Sequence, residues 1–132
     1  MKIRSHRELD TFKLAFECAV DIFELSEEFP QIEKYSLTDQ IRRSSRSVCA
    51  NLAEAFRKRK YPKHFVSKLS DCEGEASETQ VWLNFALKFY YISRKKYNAL
   101  AEKDEKLIGK FVQWLPSPKN SHINLSQRKI FS

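Results

Sequence analysis

Apolar residues recur at every third or fourth position through four stretches of the chain, the spacing of one face of an α-helix. From Glu8 to Glu28 the row is Leu9, Phe12, Phe16, Ala19, Val20 and Phe23, with Ser5 placed to cap the start and Pro30 just past the end. After a turn over residues 29–36, a second helix begins near Leu37 and sets Ile41, Val48, Leu52, Ala55 and Phe56 on one arc. Beyond the run Arg57-Lys58-Arg59-Lys60, Pro62 suits the first position of a third helix, where its missing N–H costs nothing. That helix carries Phe65, Leu69, Cys72, Ala76, Thr79, Leu83, Leu87 and Tyr90, and ends near Ile92. Ser93 caps a fourth, whose row is Tyr97, Leu100, Ala101, Leu107, Ile108, Phe111 and Leu115, stopped by Pro116 and Pro118. Four amphipathic helices with short connections predict an all-α, antiparallel up-down-up-down four-helix bundle over residues 1–115. Residues 116–132 hold no acid and no helical period, and are expected to be a flexible basic tail.

Composition narrows the chemistry. With 132 residues, 42% of them apolar, the chain suits one domain with an ordinary core, and only 2 Gly and 4 Pro weigh against turn-rich β folds. There is no membrane-length apolar run and no signal-like start, so a cytoplasmic location is expected. Cys18, Cys49 and Cys72 form no CxxC pair and read as free, buried thiols. They lie at a similar height in the bundle, but His6, His64 and His122 fall near the ends or in the tail, so no metal site is expected. Glu73, Glu75 and Glu78 lack the Glu-x-x-His pairs of di-iron bundles, and no nucleophile set or glycine-rich phosphate loop is present. No catalytic residue, cofactor or small-molecule substrate is therefore assigned, and the protein is not expected to be an enzyme.

The second helix reads YSLTDQIRRSSRSVCANLAEAFRKRKYPKHF and the third KLSDCEGEASETQVWLNFALKFYYIS. Phe29, Pro30, Glu33, Tyr35, Leu37, Gln40, Arg42, Arg43, Ser47, Asn51, Ala53 and Glu54, then Gly74, Glu78 and Ile92, fall on a recurrent family pattern. In this the chain resembles, from about Leu9 to Leu115, the four-helix bundle family that includes proteins encoded in intervening sequences of bacterial 23S rRNA genes. Two positions depart from the pattern: Ala55 stands where the family has Gly, and Tyr90-Tyr91 where it has Gly-Tyr. The first implies an unbroken second helix and the second a bulkier turn into the fourth. The resemblance implies a left-handed antiparallel bundle that assembles as a ring, typically a pentamer, without established catalytic activity. More distant relatives are basic accessory proteins of reverse transcriptases that bind nucleic acid.

Three constellations need an assignment. Gln40, Arg43, Ser47, Asn51 and Glu54 lie within about 80° of arc on the second helix, and with Glu78 of the third are expected to form a structural polar network. Were they buried together, losing Arg43 would cost about 3 to 5 kcal/mol. Leu14, Cys18, Ile22 and Leu25 make a second apolar line on the first helix, and Trp82, Phe85 and Phe89 stand off the core row of the third. Both are expected at an interface between copies of the chain, the alternative cover being the tail through Ile123, Leu125, Ile130 and Phe131.

The net charge is +7, and the topology gathers Arg4, Arg7, Arg57, Lys58, Arg59, Lys60 and Lys63 at one pole, joined by the tail. Such a pole suits the phosphate backbone of RNA or DNA, with Tyr61 and Phe65 available for stacking. The expected function is a noncatalytic homo-oligomer that binds nucleic acid at this pole. The alternative is a protein-interaction scaffold whose charge is solubilising.

Overall fold

Side-chain caps open the first turn and the last helix in the computed structural model, which describes residues 5–116. Ser5 accepts from the Arg7 backbone N–H at 3.3 Å and starts a short 3-10 turn, His6–Glu8, so that the first α-helix begins only at Asp10. The helices are α1 (Asp10–Ser26), α2 (Leu37–Arg57), α3 (Pro62–Lys88) and α4 (Arg94–Trp114). Pro62 takes the first turn of α3, and the Ser93 hydroxyl accepts from the Lys96 N–H at 3.1 Å to cap α4. A second 3-10 turn, Gln31–Glu33, lies in the α1–α2 connection, and no strand forms among the described residues. Ala55 is helical, so α2 continues unbroken to Arg57.

The core falls into two clusters, one at each pole. Leu9, Leu52, Phe56, Phe65, Leu69, Leu107 and Phe111 pack together, joining the start of α1, the end of α2, the start of α3 and the end of α4. Ile22, Leu25, Phe29, Leu37, Ile41, Leu83, Ile92 and Leu100 join the opposite helix ends. Successive helices therefore run antiparallel. A polar belt separates the clusters: Ser44 and Thr79, both buried, share a hydrogen bond at 2.7 Å, and Asp104 enters the same interior from α4.

The first helix is turned about its axis relative to expectation. Cys18, Ile22 and Leu25 were expected at an interface between copies, but they are buried in the chain's own core, with Ile22 only 1% exposed. Phe16, Val20 and Phe23, expected inside, face solvent, and Leu14 is half-buried. Two apolar rows compete on this helix, and polar contacts decide between them. Lys103 of α4 holds Glu17 at 2.6 Å and Asp21 at 2.8 Å, while Arg42 of α2 donates to Ser26 Oγ at 2.7 Å. Together these bonds point the smaller residues Thr11, Ala15 and Cys18 inward, where helices approach closely.

The second departure from the family pattern falls in the turn into α4. Tyr90 has φ 63°, in the left-handed region. The Tyr91 N–H bonds to the Ala86 carbonyl at 2.9 Å and the Tyr90 N–H to that of Leu87 at 3.0 Å. This is a Schellman ending, whose left-handed position favours glycine. Tyr90 occupies it with its side chain 92% exposed.

Candidate nucleic-acid interface

The α2–α3 turn is closed by backbone and by one arginine. The Lys58 N–H bonds to the Glu54 and Ala55 carbonyls, and that of Tyr61 to the Lys58 carbonyl at 2.8 Å. Arg59 folds back over the Phe56 ring, its guanidinium carbon 3.9 Å from the centroid, and donates to the Phe56 carbonyl at 2.7 Å. Half-buried in this way, it supports the end of α2 by adding a side-chain donor to a carbonyl that also accepts the Arg59 backbone N–H at 3.4 Å. Its neighbours Arg57, Lys58, Lys60 and Lys63 are exposed, and none has a carboxylate within ion-pair distance among the described residues. Arg7 is also exposed, and the core cluster that joins Leu9 to Phe56 and Phe65 brings it to this pole. Arg4 lies outside the described residues, as does the tail with Lys119, Arg128 and Lys129. Tyr61 is exposed and meets the His64 ring edge-on at 6.2 Å, whereas Phe65 is buried in the core and offers no stacking face.

Cations on the helix flanks are placed differently. Arg43 of α2 reaches Glu75 at 3.3 Å and Glu78 on α3, with Gln40 accepting from its Nε at 3.4 Å. Burial, followed by the neighbouring Glu78, raises the Glu75 carboxyl above its ordinary range. Glu54 leaves this group and pairs with Lys68 at 2.6 Å, while half-buried Ser47 and Asn51 join neither pair. In place of the expected six-residue network, two separate groups of ion pairs span the α2–α3 seam, Arg43 with Glu75 and Glu78, and Lys68 with Glu54. Arg43 is 44% exposed, so the penalty reckoned for a buried charge does not apply.

Of the expected interface residues on α3, Phe85 and Phe89 are exposed and Trp82 is half-buried. With Tyr35 and Leu37 they line a cleft of about 430 Å³ at the α2–α3 seam. The Trp82 Nε1 is buried there without an acceptor among the described residues. The thiols are unreactive by placement, since burial pushes Cys18 up to about 12 and Cys49 to about 11, and raises Cys72 as well. No group of three metal-binding side chains gathers among the described residues.

One buried group escaped the sequence reading. Asp104 is 2% exposed, and its Oδ2 has no hydrogen-bond partner among the described residues. Burial, with a smaller contribution from Glu105, raises its carboxyl to about 7. The signal was present in the spacing of Leu100, Asp104, Leu107 and Phe111, which is that of an inward-facing seam.

Among the described residues no helix is long and apolar enough to cross a membrane. A crystal structure of a protein of unknown function from the S23 ribosomal protein family of Bacteroides thetaiotaomicron VPI-5482 has a similar fold. It superposes with a TM-score of 0.73 at 25% identity, covering 81% of this chain and 99% of that one. No curated relative matches the chain. The sequence matches the 23S rRNA-intervening sequence protein family over residues 7–112, most of its length and all four helices but for the end of α4, and the chain belongs to that family.

Proposed function

We propose that the protein is a noncatalytic, self-associating bundle that holds RNA or DNA backbone at its basic pole. The observation that carries this reading is the lack of charge partners there. Arg57, Lys58, Lys60 and Lys63 are exposed and uncompensated among the described residues, while Arg43, Lys68 and Lys103 on the flanks and Lys96 at the opposite pole each hold a carboxylate. Unpaired cations take up phosphates and release their counterions without first breaking an internal pair. The exposed rings of Tyr61 and His64 add surfaces for bases.

Self-association draws its support from the Trp82, Phe85 and Phe89 cleft, whose apolar rings stand open to solvent at one seam. Leu14 stays a candidate for the same interface. A ring of copies, the pentamer the family resemblance implies, would repeat the basic pole in every subunit and raise avidity for a long polyanion. A scaffold that binds another protein through the same cleft is the competing reading.

Fluorescence anisotropy with labelled RNA and DNA of unrelated sequences separates the two. The combined variant Arg57→Gln, Lys58→Gln, Lys60→Gln, Lys63→Gln leaves Arg59 in place, so the end of α2 keeps its support. It should retain its helicity by circular dichroism and lose affinity for every sequence alike, because phosphate contacts carry no sequence information. A wild-type protein that binds neither RNA nor DNA at about 50 mM salt, where backbone contacts are strong, would leave the scaffold as the function.

A further inference from the structure

A second strip of positive charge, without carboxylate partners among the described residues, leaves the basic pole along α2. Arg42, Arg46, Ala50, Ala53 and Arg57 follow one another at four, four, three and four residues, one line on the helix surface. Arg46 and Arg57 stand within about 20° of the same side and about 16 Å apart along the axis. The two alanines between them leave a low floor. Neither Arg42 nor Arg46 has a carboxylate partner among the described residues.

Beside this line α1 presents Phe16, Val20 and Phe23 to solvent, with Phe16 56% exposed. Because α1 and α2 are antiparallel, the row heads back toward the basic turn. Phe12, half-buried, stacks on Phe16 at 6.2 Å. Phe23 lies under the guanidinium of Arg42 at 4.4 Å and of Arg46 at 5.7 Å. Arg42 is further fixed by its Nε bond to Ser26 Oγ and by Nη2 donating to the Phe23 carbonyl at 3.4 Å. Its planar fork is therefore oriented before any ligand arrives. Toward the other pole the line meets a depression of about 610 Å³ lined by Lys34, Tyr35, Arg42, Arg43 and Arg46, where Asp39 is the one acid.

We infer that a single-stranded nucleic acid lies in this trough, its phosphates on Arg42, Arg46 and Arg57 and its bases against Phe16 and Phe23. The inference rests on the reading of the basic pole and narrows its ligand to a single strand. Exposed rings beside guanidiniums match a chain whose bases are free to stack, whereas a duplex keeps its bases paired and offers the rings nothing. The apolar row alone would serve a protein partner as well; the guanidiniums beside it decide for a polyanion.

The probes are a labelled oligouridylate of about 16 nucleotides, within the usual length of single-strand sites, and an RNA duplex of equal length, each read by anisotropy. Wild type should prefer the single strand. The double variant Phe16→Ser, Phe23→Ser should lose about tenfold or more in single-strand affinity, with duplex affinity little changed and helicity intact. Arg42→Gln with Arg46→Gln should weaken both. If wild type binds the oligouridylate and the double Ser variant binds it equally well, the trough is wrong and the pole stands. An equal loss for both probes, with a fall in subunit number by light scattering, marks lost avidity and assigns the phenylalanine row to self-assembly, which also overturns the inference. If wild type binds neither probe, the reading of the pole itself fails.

Discussion

The two poles of the bundle solve the same problem, turning the chain between antiparallel helices, with different chemistry. At the pole of the α1–α2 and α3–α4 connections, side chains tie the turns together. Glu33 accepts from the Tyr91 hydroxyl at 2.8 Å, from Ser36 Oγ at 2.6 Å and from the Leu37 N–H at 3.3 Å, and Lys96 holds Glu28 at 3.0 Å. These bonds hold the Glu33 carboxyl below its usual range, the Ser36 bond contributing most. At the basic pole Arg59 is used in this way, and its neighbours Arg57, Lys58, Lys60 and Lys63 have no carboxylate partner among the described residues. Charge that the fold does not need is available to a partner. Four exposed cations without a carboxylate partner among the described residues stand next to a compact turn, and this is what supports the proposed role.

The belt between the poles gives the comparison its sharpest test. A folded-state value of about 7 for Asp104, against an ordinary 3.8, means the folded chain keeps a proton that the unfolded chain releases. The Asp104 contribution to stability should be fully present below about pH 4, fall by about 4 kcal/mol between pH 4 and 7, and level off above. Asp104→Asn should remove that fall and be the more stable protein at pH 8. Urea melts of both proteins at pH 5 and pH 8 check this; parallel pH profiles would place the carboxylate in contact with water.

At the tied pole, Tyr90→Gly relieves the left-handed strain of a residue whose side chain is 92% exposed, and should stabilise by about 1 kcal/mol. A loss of stability in thermal melts would show that the tyrosine ring is held in the assembled protein. On the flank between the poles, Arg43→Met should cost only about 0.5 to 1 kcal/mol, since the pair it breaks is exposed to solvent. A cost of about 3 kcal/mol would mean that the Arg43, Glu75 and Glu78 group is buried in an assembly.

Much of this was readable before the fold was known, and what was not has identifiable causes. The inward row of α2, Pro62 at the start of α3 and Ser93 at the start of α4 are decided within a turn or two of helix, where periodicity and capping are local. The rotation of α1 is not local. It depends on Lys103, more than seventy-five residues away, gripping Glu17 and Asp21. Asp104 was hidden by its chemistry, because a carboxylate in a seam reads as a surface residue until its neighbours at four and three residues are taken as core. The run from Arg57 to Lys60 looks uniform in sequence; only Phe56, three residues before Arg59, marks which member turns back. The partition of Glu54 to Lys68 and of Arg43 to Glu75 and Glu78 follows from the register of α2 on α3, which no single helix carries.

The central claim, that the free cations of the basic pole hold a phosphate backbone, is tested most directly by the salt dependence of binding. For wild type, log affinity for RNA or DNA should fall linearly with log salt. In the Arg57→Gln, Lys58→Gln, Lys60→Gln, Lys63→Gln variant the slope should be shallower by about three, since each lost phosphate contact removes about 0.7 to 0.9. A slope that is the same in both proteins, or a wild-type affinity indifferent to salt, would contradict the account.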